Sequence, residues 1–201
     1  MIIFYNEQGV GDVLLVQLEL EKPSELMTEK IGDVAVIKDA ETKKVVAFNL
    51  FNASNYLNVE ANGEVELTEE VIEKVQQALQ ENNVDLKLNA DLSPKFVIGH
   101  VINKEKHPDA DRLNVCKVDV GIETLQIVCG ASNVDVNQKV VIAKVGAVMP
   151  SGLVIKDAEL RGVASSGMIC SASELALPDA GENIGILVLE ENSVVGQPFI
   201  K

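Results

Sequence analysis

The segment Leu160-Arg161-Gly162-Val163-Ala164-Ser165-Ser166-Gly167-Met168-Ile169-Cys170-Ser171-Ala172-Ser173-Glu174-Leu175 holds the densest chemistry in the chain, with one arginine and four serines around two glycines. Glycines let a backbone approach a polyanion closely, and serine hydroxyls beside bare N–H groups can bind phosphate oxygens or ribose. A polar loop entering a short strand and a helix cap would use the same residues, so composition alone leaves both readings standing. Upstream, Gly130-Ala131-Ser132-Asn133-Val134 follows a strand-like run. Asn133 there either bonds its own backbone or presents an amide, donor and acceptor at once, to a ligand. His107-Pro108-Asp109-Ala110-Asp111-Arg112-Leu113 places two aspartates around one small residue. It reads first as a capped turn, and an Asp-x-Asp site for Mg²⁺ or acid–base work lacks a third acid nearby.

Other chemistries find weaker support. His100, His107, Cys116, Cys129 and Cys170 are widely and irregularly spaced. None forms the paired C-x₂-C or H-x₃-H arrangement that aims two ligands at one ion, so neither a metal nor another cofactor is expected. Each cysteine sits in an apolar run, where Cys behaves as a small buried hydrophobe, and no histidine is paired locally with a thiol to activate it. Gly9-Val10-Gly11-Asp12 precedes a strand rather than a helix and is not followed by G-K-[ST], so it reads as a tight turn rather than a phosphate loop.

The elements that must position these groups fall into two halves. In the first, Ile2 to Tyr5, Asp12 to Leu20, Val34 to Lys38 and Lys44 to Phe51 are expected strands, the last two a hairpin across Asp39-Ala40-Glu41-Thr42. A helix is expected from Thr68, with Glu69 and Glu70 at its positive end, an apolar face of Val71, Ile72, Val75, Ala78 and Leu79, and a stop at Asn82-Asn83. Residues 1–93 therefore read as a small α+β domain. Pro94 marks the boundary. Beyond it, Phe96 to Asn103, Leu113 to Val120, Thr124 to Cys129, Lys139 to Val145, Val154 to Leu160, Gly167 to Cys170 and Ile184 to Leu189 read as short strands punctuated by glycines, Gly181 among them. Strands at such regular spacing with little helix indicate an all-β barrel over 94–201, for which an OB-fold is the natural candidate.

Composition bounds the functions available. The 201 residues are 47% hydrophobic and 24% charged, which excludes disorder and low-complexity classes. The net charge of −14 is unevenly placed: seven basic against 18 acidic residues up to Ser93, ten against 13 from Pro94 onward. The whole chain should repel phosphate backbones, whereas the second half is close to balanced, which fits two domains with different tasks. No run of 18 apolar residues occurs, so no membrane helix is expected. The N-terminus lacks a basic region and is not expected to be a signal peptide. Three cysteines without a C-x-x-C pair fit a reducing, cytoplasmic setting.

Taken together, His107 to Asp119, Gln126 to Val134, Gly146 to Lys156 and Leu160 to Leu175 occur in an order that resembles the tRNA-binding OB-fold domain related to the CsaA proteins. That domain is also appended to bacterial methionyl-tRNA synthetase and to the β subunit of phenylalanyl-tRNA synthetase. With an acidic domain in front, the whole chain is similar to the stand-alone YtpR-type tRNA-binding proteins. The resemblance implies a non-catalytic protein of the translation machinery that recognises folded tRNA by shape. It implies Asn133, Arg161, Ser165, Ser166, Gly167, Met168 and Ser171 as site residues. Arg112, Lys117, Lys144 and Lys156 join them as RNA-binding residues in a basic stripe with Lys104, Lys106 and Lys139, provided the barrel gathers these on one face. Arg112 stands where a lysine is common, and Ala176 where a glycine is frequent. An aminoacyl-tRNA synthetase or other translation protein is an implied partner, and a homodimer is an arrangement relatives adopt. The alternative is a chaperone-like or protein-interaction module whose acidic first domain binds a basic partner.

Overall fold

A computed structural model describes residues 1–178, 180 and 185–200. Its contacts divide into two compact units, Met1–Ser93 and Pro94–Lys201. Of the expected features, Gly181 and the start of the strand at Ile184 lie outside the described residues.

In the first unit, β1 (Ile2–Asn6) is followed by a single helical turn, α1 (Glu7–Val10), then β2 (Val13–Gln17), β3 (Leu26–Ile31), β4 (Val34–Asp39), β5 (Val45–Phe51), β6 (Asn62–Glu64) and α2 (Glu69–Glu81). The six strands form one antiparallel sheet in the order β3-β4-β5-β2-β1-β6. This corrects the α+β expectation: the unit is largely β, with one helix longer than a turn. Period-2 alternation puts Ile3, Tyr5, Leu14, Val16, Phe48 and Leu50 on one face, where they pack with Val75, Ala78 and Leu79 of α2. The Oγ1 of Thr68 accepts the Val71 N–H and caps that helix. At its other end Asn82 accepts the Asp33 N–H and donates to Tyr56 Oη and the Ala78 carbonyl, tying the helix to the β3–β4 turn. The Gly9–Asp12 stretch is also internal. Gly9 N–H caps back onto Asn6, and the Asp12 carboxylate accepts from Ser54 N–H, Ser54 Oγ and Tyr5 Oη.

The second unit begins with β7 (Phe96–Lys106), whose two halves serve different neighbours. It is followed by β8 (Asn114–Asp119), β9 (Thr124–Cys129), β10 (Lys139–Ala143), β11 (Asp157–Leu160), β12 (Val163–Ser166), β13 (Met168–Ile169) and β14 (Val188–Leu189). Phe96 to His100 pairs with β10 and His100 to Lys106 with β8, with a bulge between Val101 and Asn103 where the strand changes partner. The sheet runs β13-β10-β7-β8-β9, and its ends approach each other. Gln126 Nε2 on β9 donates to the Ala164 carbonyl, and Val128 N–H donates to Ser165 Oγ. The result is a small OB-like barrel around Val101, Cys116, Val118, Ile127, Val140 and Ile142. A second apolar cluster, including Val141, Ala143, Met149, Ile155 and Leu175, covers the other side of β10. Strand β10 is buried on both faces, which is why Lys139 to Val145 reads as a nearly continuous apolar run.

Candidate nucleic-acid interface

The loop between β7 and β8 is built around His107. The imidazole is 4% exposed, and its Nδ1 accepts the Asp109 N–H at 3.1 Å. That bond leaves the ring proton on Nε2, which donates to the Leu160 carbonyl at 2.9 Å. Leu160 ends β11, and Arg161-Gly162 is the two-residue tip of the β11–β12 hairpin. Both tip residues have positive φ, +48° for Arg161 and +80° for Gly162, as a type I′ turn requires. Arg161 Nη1 reaches back to the Asp109 carbonyl at 2.9 Å. Four residues from two motifs 53 positions apart thus close a ring of bonds that seats the hairpin on loop 107–113. The loop is a turn, as expected, but its cap is His107, which accepts the Asp109 N–H, rather than the carboxylates of Asp109 and Asp111. Among the described residues, no three His, Cys, Asp or Glu side chains gather as a metal site.

Beside this junction lies the outer face of β8 and β9. Lys117, exposed on β8, donates to Gln126 Oε1 across the register at 2.8 Å, and Gln126 in turn holds Ala164 of β12. Exposed Arg112 belongs to the same loop as Asp109, and half-buried Ser166 ends β12 opposite Asp157. Arg161 thus stands against loop 107–113, to which exposed Arg112 belongs, while Lys117 joins β9 through Gln126, which reaches β12, the strand that Ser166 ends.

The remaining expected residues are engaged elsewhere. The Asn133 amide is engaged within the unit. Its Nδ2 donates to the Ile186 carbonyl and its Oδ1 accepts the Ile186 N–H, both at 3.0 Å. Gly185 permits this close pairing, since a Cβ there would lie 2.5 Å from Asn133 Oδ1. Ser165 is buried, and its hydroxyl accepts the Val128 N–H and closes the seam to β9. Ser171 is a helix-type cap whose N–H and Oγ both donate to Glu174 Oε2 while its Oγ accepts the Glu174 N–H, a capping box. Gly167, at φ +105°, passes so close to β10 that a Cβ would sit 2.9 Å from the Ala143 carbonyl oxygen. Met168 pairs with Ala143 and packs on the second apolar cluster. Lys144 is half-buried and bridges Glu123 at 3.2 Å, while Lys156 is half-buried without a hydrogen bond or ion pair among the described residues.

Lys104 is also withdrawn from the expected stripe. It bonds the Val134 carbonyl and Asp135, whose carboxyl is held below its usual range first by the Val136 N–H and then by this lysine. Sequence reasoning set His107 aside as a metal ligand without finding its backbone partners, and it missed Gln126, the bridge from β8 to β12. The signal for Gln126 was its place one residue from buried Ile127 on the outward parity of β9. The partner strand β12 carries no sequence mark of its own.

Comparison with known proteins places the chain in a family. Residues 96–198 match a model described as "Putative tRNA binding domain", and residues 21–91 match one described as "Domain of unknown function (DUF4479)". The chain is 61% identical over 199 residues, 99% of each chain, to the "Putative tRNA-binding protein YtpR" of Bacillus subtilis. It is 60% identical over 101 residues to the phenylalanine–tRNA ligase β subunit of Oleidesulfovibrio alaskensis, covering 50% of this chain and 12% of that subunit. Among solved structures, the C-terminal domain of Plasmodium vivax p43 aligns with a TM-score of 0.39 at 28% identity over 52% of this chain and 58% of that one. On the full-length match and the domain that spans its second half, the chain belongs to the YtpR-like family that carries the tRNA-binding domain.

Proposed function

We propose that this protein binds folded tRNA, without catalysis, on the side of the barrel where loop 107–113, β8, β9 and the β11–β12 hairpin adjoin. The observation that carries the reading is the seating of Arg161 on loop 107–113 beside the outer face of β8 and β9. OB barrels bind oligonucleotides on their second and third strands, between the loop that joins strands one and two and the loop before strand five. These are β8 and β9, loop 107–113, and the segment that carries the hairpin. Arg112, Lys117 and Arg161 supply the charge, and Ser166 supplies a hydroxyl at the edge. Gly167, Met168, Asn133, Ser165 and Ser171 support the backbone behind them.

The unit offers no stacking platform for unpaired bases. Its two aromatics, Phe96 and Phe199, pack against the second apolar cluster. Base stacking on aromatics is the usual device of single-strand binders, so recognition here works through phosphate, ribose and the shape of a folded RNA. The similarity to a synthetase subunit supports a place in translation in the cytoplasm, with a synthetase as a second partner. The acidic first unit, with a net charge of −11, limits non-specific binding by repelling phosphate.

The test is the charge reversal Arg161→Glu in the full chain. Affinity for folded tRNA should fall at least about tenfold, or about 1.4 kcal/mol, with the far-ultraviolet circular dichroism unchanged. Unchanged affinity would show that the interface lies elsewhere. Loss of binding to a basic translation protein in place of tRNA would favour the interaction-module alternative.

A further inference from the structure

We propose that His107 is a positioning residue for RNA recognition, holding Arg161 at the barrel edge; this rests on the interface proposed above. Arg161 stands in a positive-φ conformation that costs a residue with a Cβ free energy, and asparagine or glycine would fill the first position of a type I′ tip more easily. An arginine there needs compensation, and the structure supplies it from one residue. Asp109 donates its N–H to His107 Nδ1 and accepts from Arg161 Nη1 with its carbonyl. His107 Nε2 meanwhile fixes the carbonyl immediately before Arg161. The backbone on either side of the arginine's contact is therefore held by the same buried ring. One Nη1 bond anchors the guanidinium and leaves its other N–H groups for a phosphate, in the fork geometry that suits oxyanions.

The inference separates His107 from residues that merely stabilise the barrel. A packing residue lowers affinity by the same factor whatever stands at 161, whereas a residue acting through Arg161 loses its effect when the guanidinium is gone. The experiment is a double-mutant cycle on the full chain, with folded tRNA as ligand. Arg161→Asn removes the guanidinium and suits the turn. His107→Asn keeps a short acceptor for the Asp109 N–H and loses the bond to Leu160. His107→Gln keeps a donor at the Nε2 position.

Arg161→Asn should lower affinity about tenfold, His107→Asn about fivefold alone but less than about twofold in the Arg161→Asn background, and His107→Gln should restore most of the loss. Equal factors in both backgrounds, or no effect of His107→Asn, overturn the positioning role while leaving the interface intact. No effect of Arg161→Asn overturns the interface itself. If His107→Asn does not fold, nitrogen NMR of the wild-type imidazole decides. In the tRNA complex the ring should keep its proton on Nε2 in slow exchange, and loss of that signature on binding overturns the proposal.

Discussion

Gly167→Ala separates a glycine needed by the fold from one needed by a ligand. The glycine-rich motif suggests close approach to a polyanion, whereas the structure shows close approach to the Ala143 carbonyl. Two costs add on substitution. Holding an L residue at positive φ costs about 1–2 kcal/mol, and the backbone there is at φ +105°. A Cβ 2.9 Å from a carbonyl oxygen must also displace something. That carbonyl belongs to β10, paired with β7 on one side and β13 on the other, so it yields poorly and adds about 1–2 kcal/mol of overpacking. The expected loss is about 2–4 kcal/mol. Gly162→Ala is the internal control, because its φ is +80° but open space surrounds it, and only the conformational part, about 1–2 kcal/mol, applies. Urea unfolding should be followed by far-ultraviolet circular dichroism. The chain has no tryptophan, and both tyrosines, Tyr5 and Tyr56, stand in the first unit. The second-unit midpoint should fall further for Gly167→Ala than for Gly162→Ala, with tRNA affinity of the folded protein retained. Equal midpoints, or full stability with lost binding, would refute the argument.

Three further outcomes follow from other parts of the chain. Burial pushes the Asp12 carboxyl up, but hydrogen bonds from Ser54 and Tyr5 outweigh it and hold the group below its ordinary 3.8. Its contribution to stability is therefore full above that value and is lost as pH falls through the depressed one. Tyrosine fluorescence should show wild type more stable than Asp12→Asn at pH 6 and the gap closing toward pH 3; a pH-independent gap would contradict this. Burial, reinforced by neighbouring Cys129 and opposed by Lys104, pushes the Cys116 thiol up to about 11, and Cys129 and Cys170 are buried too. A disulfide reagent at pH 8 should label the three thiols only at the rate of unfolding, and rapid stoichiometric labelling of the native protein would contradict the burial. Ala176 takes φ +54°, so Ala176→Gly should raise second-unit stability by about 0.5–1 kcal/mol in the same urea assay; a loss would show that the methyl group packs usefully.

Those parts of the fold whose pattern is local were legible in the sequence. The Thr68 cap, the face of Val75, Ala78 and Leu79, and the β4–β5 hairpin all follow from spacing within one element. Strand β3 was missed because both its faces are exposed, so Leu26 to Ile31 shows no alternation to read. Strand β6 is three residues long and carries a glycine, and no sequence signal survives at that length. The site was legible as a set of segments, and the roles within it were not. Asn133, Ser165 and Ser171 have the chemistry of ligand contacts. Their partners, Ile186, Val128 and Glu174, lie 53, 37 and three positions away. Only Ser171 with Glu174 has a spacing that sequence alone can interpret, as a capping box. His107 shows the converse, since a polar residue with a ligand's chemistry is 4% exposed because its two acceptor and donor partners are backbone groups brought by folding.

The most direct measurement is the affinity of the full chain for folded tRNA across a potassium chloride series. Contact with about five phosphates predicts that log K falls against log salt with a slope of roughly −3.5 to −4.5. Folded tRNA should also compete better than single-stranded RNA or duplex DNA at each concentration. A slope near zero, or equal competition by all three, would contradict recognition of a folded RNA through its backbone and shape.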